Sequence, residues 1–326
     1  MNLPLYQTEY GSAYVGDSLD LLKMLPSETV DLVITSPPFA LQRQKAYGNV
    51  EQAEYVDWLL LFCRDVFRVL KPTGSFVLDL GGAYLAKRPV RSLYNYRLLI
   101  RLCDEIGFQL AEEFFWYNPA KLPSPIEWVN KRKIRAKDAV NTVWWLSKTD
   151  FPKADVRNVL VPYSERMKKL QASPETFYTP KDRPSGHQIS ERFAADNGGA
   201  IPSNLLQIPN TESNSQYIRL CKLMNVEAHP ARFPAKLPEF FIKFLTDPDD
   251  LVVDIFAGSN TTGAAAETLH RRWLAFEQNA TYLAASALRF MDTLQDEALI
   301  REQFRALLET PRSIRIASPS QMRLNI

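Results

Sequence analysis

Apolar positions along the chain follow two rhythms, short unbroken runs and helical spacings, and their alternation predicts the elements. Ala13 to Gly16 reads as a short strand leading into Asp17, and Leu19 to Leu25 as a short helix. Val30 to Thr35 reads as a second strand, whose near-continuous apolar run suits burial on both faces. Tyr55, Leu59, Phe62, Val66 and Val69 share one helical face, and Lys71-Pro72-Thr73-Gly74 stops that helix before a strand from Ser75 to Leu80. A helix over Arg97 to Ile106 ends at Gly107, followed by aromatic strands at Glu112 to Tyr117 and Asn141 to Leu146. Between about Thr149 and Asn214 the rhythm gives way to Pro, Ser, Asp, Asn and Gly, with Pro180 to His187 as the clearest loop. Regular spacing resumes with a helix at Lys236 to Leu245, a strand at Leu251 to Phe256, a helix at Thr261 to Leu269, a strand at Trp273 to Glu277 and a helix at Ala280 to Met291. Strands alternating with helices imply an α/β fold: a doubly wound, mostly parallel sheet, with a smaller loop-rich lobe. The expected divisions are 1–148, a recognition region at 149–214, 215–310, and a loosely held tail at 311–326.

Composition narrows this little. A chain of 326 residues with 46% hydrophobic content can bury one large core or a core plus a lobe. Its apolar runs are too short to span a bilayer and its first residues lack a signal core, so a cytoplasmic location is expected. Three scattered cysteines, Cys63, Cys103 and Cys221, suggest neither a disulfide framework nor a zinc site, and no metal is expected. Charge is more informative. Residues 121–170 carry twelve Lys or Arg against five Asp or Glu, within a chain of net charge +2. Such a segment suits a polyanion, although a solvated charged face gives the same count.

Two constellations carry chemistry. Asp254-Ile255-Phe256-Ala257-Gly258-Ser259 follows a buried strand and opens a helix, where Gly258 permits a tight turn and close approach of a ligand; Glu277, ending the next strand, can accept hydrogen bonds from a ribose diol. A structural turn needs glycine too, and no Gly-Lys-Ser/Thr marks a triphosphate loop. The second constellation is Ser36-Pro37-Pro38-Phe39 at a strand end. Its prolines remove donors and leave carbonyls and the Ser36 hydroxyl as acceptors beside an aromatic face, which suits an exocyclic amine; a Pro-Pro loop over a core Phe is the alternative.

Together these motifs resemble the DNA amino-methyltransferases: Asp254 to Gly258 resembles their cofactor glycine motif, and Ser36 to Phe39 their catalytic tetrapeptide in its serine form. The catalytic motif precedes the cofactor motif, with a variable segment between, as in the beta class. The resemblance covers roughly residues 30 to 290, including Pro123 to Trp128, Val143-Trp144-Trp145 and His229 to Phe241. It implies a Rossmann-like methyltransferase sheet with a β-hairpin edge, the first and third divisions being the catalytic and cofactor-binding halves of one domain. It implies S-adenosylmethionine as cofactor, duplex DNA as partner, and methyl transfer to cytosine N4 by base flipping and direct displacement. A restriction-modification setting follows, with a palindromic target of the CAGCTG kind and a cognate endonuclease that forms no stable complex. Asp17 would contact adenine and Glu277 the ribose, while Phe256, Gly258, Asp254, Ser259 and Phe233, the last in His229-Pro230-Ala231-Arg232-Phe233-Pro234, would form the remaining cofactor site. Asp79 would hydrogen-bond Ser36 and either orient it or take up a proton. Asp31 is expected on the surface before its strand. Lys131, Arg132, Lys133, Arg135 and Lys137 would meet phosphates, and Arg183, Ser185 and His187 base edges.

Three other readings bound this one. Cytosine C5 methylation needs a thiolate, and none of the cysteines follows a proline as that chemistry's nucleophile does; they read as core thiols. Adenine N6 methylation is the near alternative, usually with Asp or Asn in place of Ser36. A non-catalytic DNA-binding protein on the same scaffold is the distant one.

Overall fold

The computed structural model describes residues 3–39, 54–173, 195–211, 215–291, 297–309 and 314–315. Contacts divide the chain into two compact units, Met1–Ala154 with Asn204–Ile326, and Asp155–Ser203.

The larger unit is built on β1 (Tyr6–Gln7), β2 (Gly11–Val15), α1 (Ser18–Lys23), β3 (Val30–Thr35), α2 (Tyr55–Val69), β4 (Leu70–Leu80), α3 (Tyr94–Arg101), β5 (Gln109–Tyr117) and β6 (Val140–Ser147). In the smaller unit, α4 (Glu165–Ala172) is capped by Ser164, whose hydroxyl accepts from the Met167 amide. The larger unit resumes with β7 (Leu205–Gln207), α5 (Gln216–Met224), α6 (Lys236–Leu245), β8 (Leu251–Asp254), α7 (Thr261–Thr268), β9 (Arg272–Glu277), α8 (Ala280–Ser286), α9 (Glu297–Glu309) and β10 (Ile314–Arg315).

The strands form one sheet in the order β10-β1-β2-β9-β8-β3-β4-β6-β5-β7. The run β2-β9-β8-β3-β4 is parallel throughout, and β5 and β6 add the antiparallel pair. This is the doubly wound sheet that the alternating pattern implies. The hairpin is not its outermost element, because β7 pairs parallel with β5. Alternation along β6 shows how both faces are covered. Trp144 and Leu146 enter the core built by α2 and α3, whereas Trp145 packs on Phe244 of α6 at 5.1 Å between ring centroids. Phe114 of β5 meets Phe241 of the same helix at 5.1 Å.

Several expectations need correction. Lys71–Gly74 does not separate α2 from its strand; β4 begins at Leu70, and the four residues bulge between the pairs Val30–Leu70 and Leu32–Ser75. Asp31 is no surface residue: it lies within β3, 6% exposed, its carboxylate accepting from Lys71 Nζ at 2.8 and 2.9 Å and from the Leu251 amide at 2.9 Å. The helix read at Arg97 to Ile106 begins at Tyr94 and closes in a wide π-type turn, Leu102–Ile106, ended by Gly107 at φ 96°. Within the stretch read as irregular lie α4 and β7, and within the expected tail Ile314–Arg315 pairs with β1. Among the described residues no helix is long and apolar enough to cross a membrane.

Candidate active site

Because β2, β9, β8, β3 and β4 are consecutive and parallel, their carboxyl ends lie side by side. Ligands of open α/β sheets bind along that edge. It brings together, in this order, Asp17 after β2, Glu277 ending β9, the turn after β8, Ser36 after β3, and Asp79 near the end of β4.

At the first end, Asp17 is exposed and caps α1, its Oδ1 accepting from the Leu19 amide at 2.8 Å. Glu277 accepts from the Gly258 amide at 2.9 Å and from the Asn279 amide at 2.8 Å, which fixes its carboxylate beside the glycine turn. Burial raises its pKa, and those two amides partly offset the rise. Gly258 has φ 51°, and a Cβ there would stand 3.0 Å from the His229 ring. The position therefore needs glycine both for its backbone and for its close neighbour. That neighbour belongs to the His229–Pro234 loop, which thus lies over the turn; Phe233 in it is half-buried. Phe256, also half-buried, packs on Phe62 at 5.0 Å and Trp58 at 5.6 Å.

Two residues expected at the cofactor have side chains committed elsewhere. Asp254 is 2% exposed; its Oδ1 accepts from Thr35 Oγ1 at 2.6 Å and the Phe256 amide at 3.1 Å, and its Oδ2 from Thr262 Oγ1 at 2.6 Å. It fastens the glycine turn to the strand that carries Ser36. Ser259, 3% exposed, accepts from Arg289 through both its carbonyl, at 2.6 Å, and its hydroxyl, at 3.0 Å.

At the other end, Ser36 Oγ donates to Asp79 Oδ2 at 3.0 Å. Asn141 of β6 donates to Asp79 Oδ1 at 3.1 Å, so the carboxylate is held from two sides. Burial pushes the Asp79 carboxyl up to about 6, against the lowering effect of Asn141, Ser36 and the Lys121 charge. Pro37 is buried, while Pro38 and Phe39 are half-buried. Phe39 lies against Gly81, where a Cβ would come within 2.5 Å of its ring, and the Tyr94 hydroxyl donates to the Gly81 carbonyl. The arrangement presents a hydroxyl with free lone pairs, a neighbouring carboxylate that can take a proton near neutrality, and an aromatic face.

The basic candidates lie on the connection between β5 and β6. Lys131 and Arg132 both pair with Glu127, at 3.3 and 3.0 Å, while remaining well exposed. Lys133 is exposed, and Arg135 donates to the Pro89 carbonyl. Arg183, Ser185 and His187 lie outside the described residues. Sequence reasoning missed Thr35, Gly81, Tyr94 and Asn141. Only the register of β6 against β4, which pairs Asp79 with Val143 and so sets Asn141 diagonally across from it on the same face, would have found the last.

A parallel sheet with a glycine turn, a strand-end acid and a Ser-Pro-Pro-Phe corner along one edge is the ligand-binding edge of an open α/β enzyme fold. The profile of the DNA methylase (N6/N4 methyltransferase) family matches residues 30–288, and the chain belongs to that family. It is 64% identical, over 94% of its length and 91% of the relative's, to the type II methyltransferase M.PvuII of Proteus hauseri. It is 26% identical to M.ScaI of Streptomyces caespitosus, over 86% of this chain and 81% of that one. The solved structure of the PvuII DNA methyltransferase (cytosine-N4-specific) superposes with a TM-score of 0.78 at 55% identity, covering 95% of this chain and 96% of that one.

Proposed function

We propose that the protein methylates the exocyclic N4 of cytosine at a specific site in duplex DNA, using S-adenosylmethionine. The observation that carries the reading is Ser36 hydrogen-bonded to Asp79 on a strand that Asp254 ties to the glycine turn. Likeness to the PvuII DNA methyltransferase, a cytosine-N4-specific enzyme, supports the choice of base.

The residues at the strand ends suit the cofactor. Glu277 has a fixed, partly desolvated carboxylate for a diol, Asp17 is exposed next to it, and Gly258 leaves room that any side chain would fill. Phe256 and Phe233 supply apolar surface. Bound there, S-adenosylmethionine would supply an electrophilic methyl group on a positively charged sulfur, and the methyl–sulfur bond would break with its electron pair left on sulfur, so that S-adenosylhomocysteine leaves.

The chain's own groups then have defined tasks. The extruded cytosine stacks on Phe39, and its amine donates to Ser36 Oγ and the Pro37 carbonyl. Removing that nitrogen's lone pair from the ring makes it a nucleophile. As the new N–C bond forms, an amine proton passes to the Ser36 oxygen while the Ser36 proton moves to Asp79 Oδ2. A carboxyl with a pKa of about 6 can accept it and later release it to solvent. The setting is restriction-modification, with a palindromic target of the CAGCTG kind and a separate endonuclease reading the same site. The unit Asp155–Ser203 falls within the expected recognition region, and the exposed cations before β6 serve the phosphates.

Incubation with methyl-labelled S-adenosylmethionine and mixed-sequence duplex DNA, digestion to nucleosides and mass identification of the labelled base tests this. N4-methylcytosine is expected. N6-methyladenine would overturn the base, and unlabelled DNA would favour a non-catalytic DNA-binding protein.

A further inference from the structure

Two loops leave the catalytic end of the sheet, 81–93 after β4 and 118–139 between β5 and β6, and they are tied to each other. Arg91 donates to both oxygens of Asp138, at 2.8 and 2.7 Å, and Arg135 donates to the Pro89 carbonyl at 3.2 and 2.8 Å. Residues 81–93 and 118–138 together carry nine Lys or Arg and two acids, a net of +7; the whole chain has +2, which leaves −5 for the remainder. Both acids are already paired, Glu127 with Lys131 and Arg132, and Asp138 with Arg91. These two tied loops thus gather positive charge at the catalytic end of the sheet.

Within these loops stands an apolar side chain with no core to join. Leu122 is 80% exposed. Single exposed leucines are ordinary. This one follows Lys121, whose charge reaches Asp79, and sits on a braced loop. Lys137 Nζ donates to the carbonyls of Pro119 and Lys121 at 3.1 and 3.2 Å, and the Asp138 amide donates to the Ser124 carbonyl at 2.9 Å. Pro119, Pro123 and Pro125 stiffen it further. A braced apolar tip with Lys121 and Lys137 beside it matches a partner that is anionic outside and stacked and apolar inside.

We propose that Leu122 enters the DNA helix at the extruded cytosine and fills the space that base leaves between its neighbours, while the cations around it hold the phosphates. This rests on the proposed function. A filled gap keeps the flanking bases apart and holds the target out; an empty gap lets it return.

The test uses the full chain and an unmethylated duplex carrying the site that the labelling identifies, with 2-aminopurine next to the target cytosine as a reporter of unstacking. Wild type with S-adenosylhomocysteine raises the fluorescence. Leu122→Ala binds the same duplex within about threefold but loses the rise, and kcat falls by about tenfold or more. Leu122→Met, apolar and of similar length, keeps both. A mismatch opposite the target cytosine, which weakens its pairing, restores turnover by Leu122→Ala. Undiminished fluorescence and kcat in Leu122→Ala, or no restoration by the mismatch, overturns the wedge while wild-type labelling of cytosine leaves the function intact. Absence of that wild-type labelling overturns both.

Discussion

Asp79 shows how much depends on one neighbour. Its carboxylate is 4% exposed, and desolvation favours the protonated form, which cannot accept a proton through Ser36. Turnover therefore belongs to the ionised form, present above about 6 and lost as pH falls through it. Asn141 donates to that carboxylate and so favours ionisation. Asn141→Ala is expected to raise the Asp79 pKa further and shift the acid limb of the kcat–pH profile to higher pH, with cofactor affinity by calorimetry unchanged. A fall in kcat that is equal at every pH would instead mark Asn141 as structural support. The pairing of Ser36 with Asp79 was legible through the family resemblance, since a strand-end position alone is shared by any solvated acid. Asn141 was not, because an Asn early in an aromatic strand carries no mark of the carboxylate 62 residues away.

Elements were read best where periodicity and burial agree. Val30 to Thr35 is a strand buried along its length, as its apolar run implies, and the same run hides the role of Asp31. A polar residue at a strand's start reads as solvated; here it joins three elements through Lys71 in the β4 bulge and the Leu251 amide that starts β8. Asp31→Ala leaves that amide without its acceptor and is expected to cost about 1–3 kcal/mol of stability. Thermal unfolding should show the loss, while kcat at saturating substrates stays within about twofold of wild type, since Asp31 lies at the opposite end of the strand from Ser36. α4 and β7 escaped notice for another reason: short elements among Pro, Asn and Ser have too few apolar positions to set up a rhythm.

At the scale of the molecule, the chain's small net charge conceals a strongly divided one. With +7 on the two loops that rim the catalytic end of the sheet, DNA affinity should fall steeply with salt. Lys87→Ala, Arg88→Ala and Lys133→Ala, each removing an exposed cation of that rim, are expected to lower the slope of log K against log salt by about one apiece. Lys131→Ala should change it less, because Arg132 remains to pair with Glu127 and that acid is shared already. Fluorescence anisotropy over a salt series measures this, and slopes equal to that of wild type in all four variants would show that the rim does not meet the phosphates.

The sequence by itself determined the alternation of strands and helices, the glycine turn and the Ser-Pro-Pro-Phe corner, because hydrophobic period, glycine and proline act over a few residues. It also determined that positive charge gathers in one stretch. Tertiary structure decided what those pieces do to one another. Strand order put Glu277, Gly258, Ser36 and Asp79 on one edge, although they are far apart in the chain. Packing of β8 on β3 made Asp254 a fastening between the glycine turn and the Ser36 strand, placed Asp31 in the interior, and burial lifted the Asp79 carboxyl toward neutrality. Each of these depends on which distant groups exclude water from a side chain and which remain to hydrogen-bond it, and local sequence does not encode that.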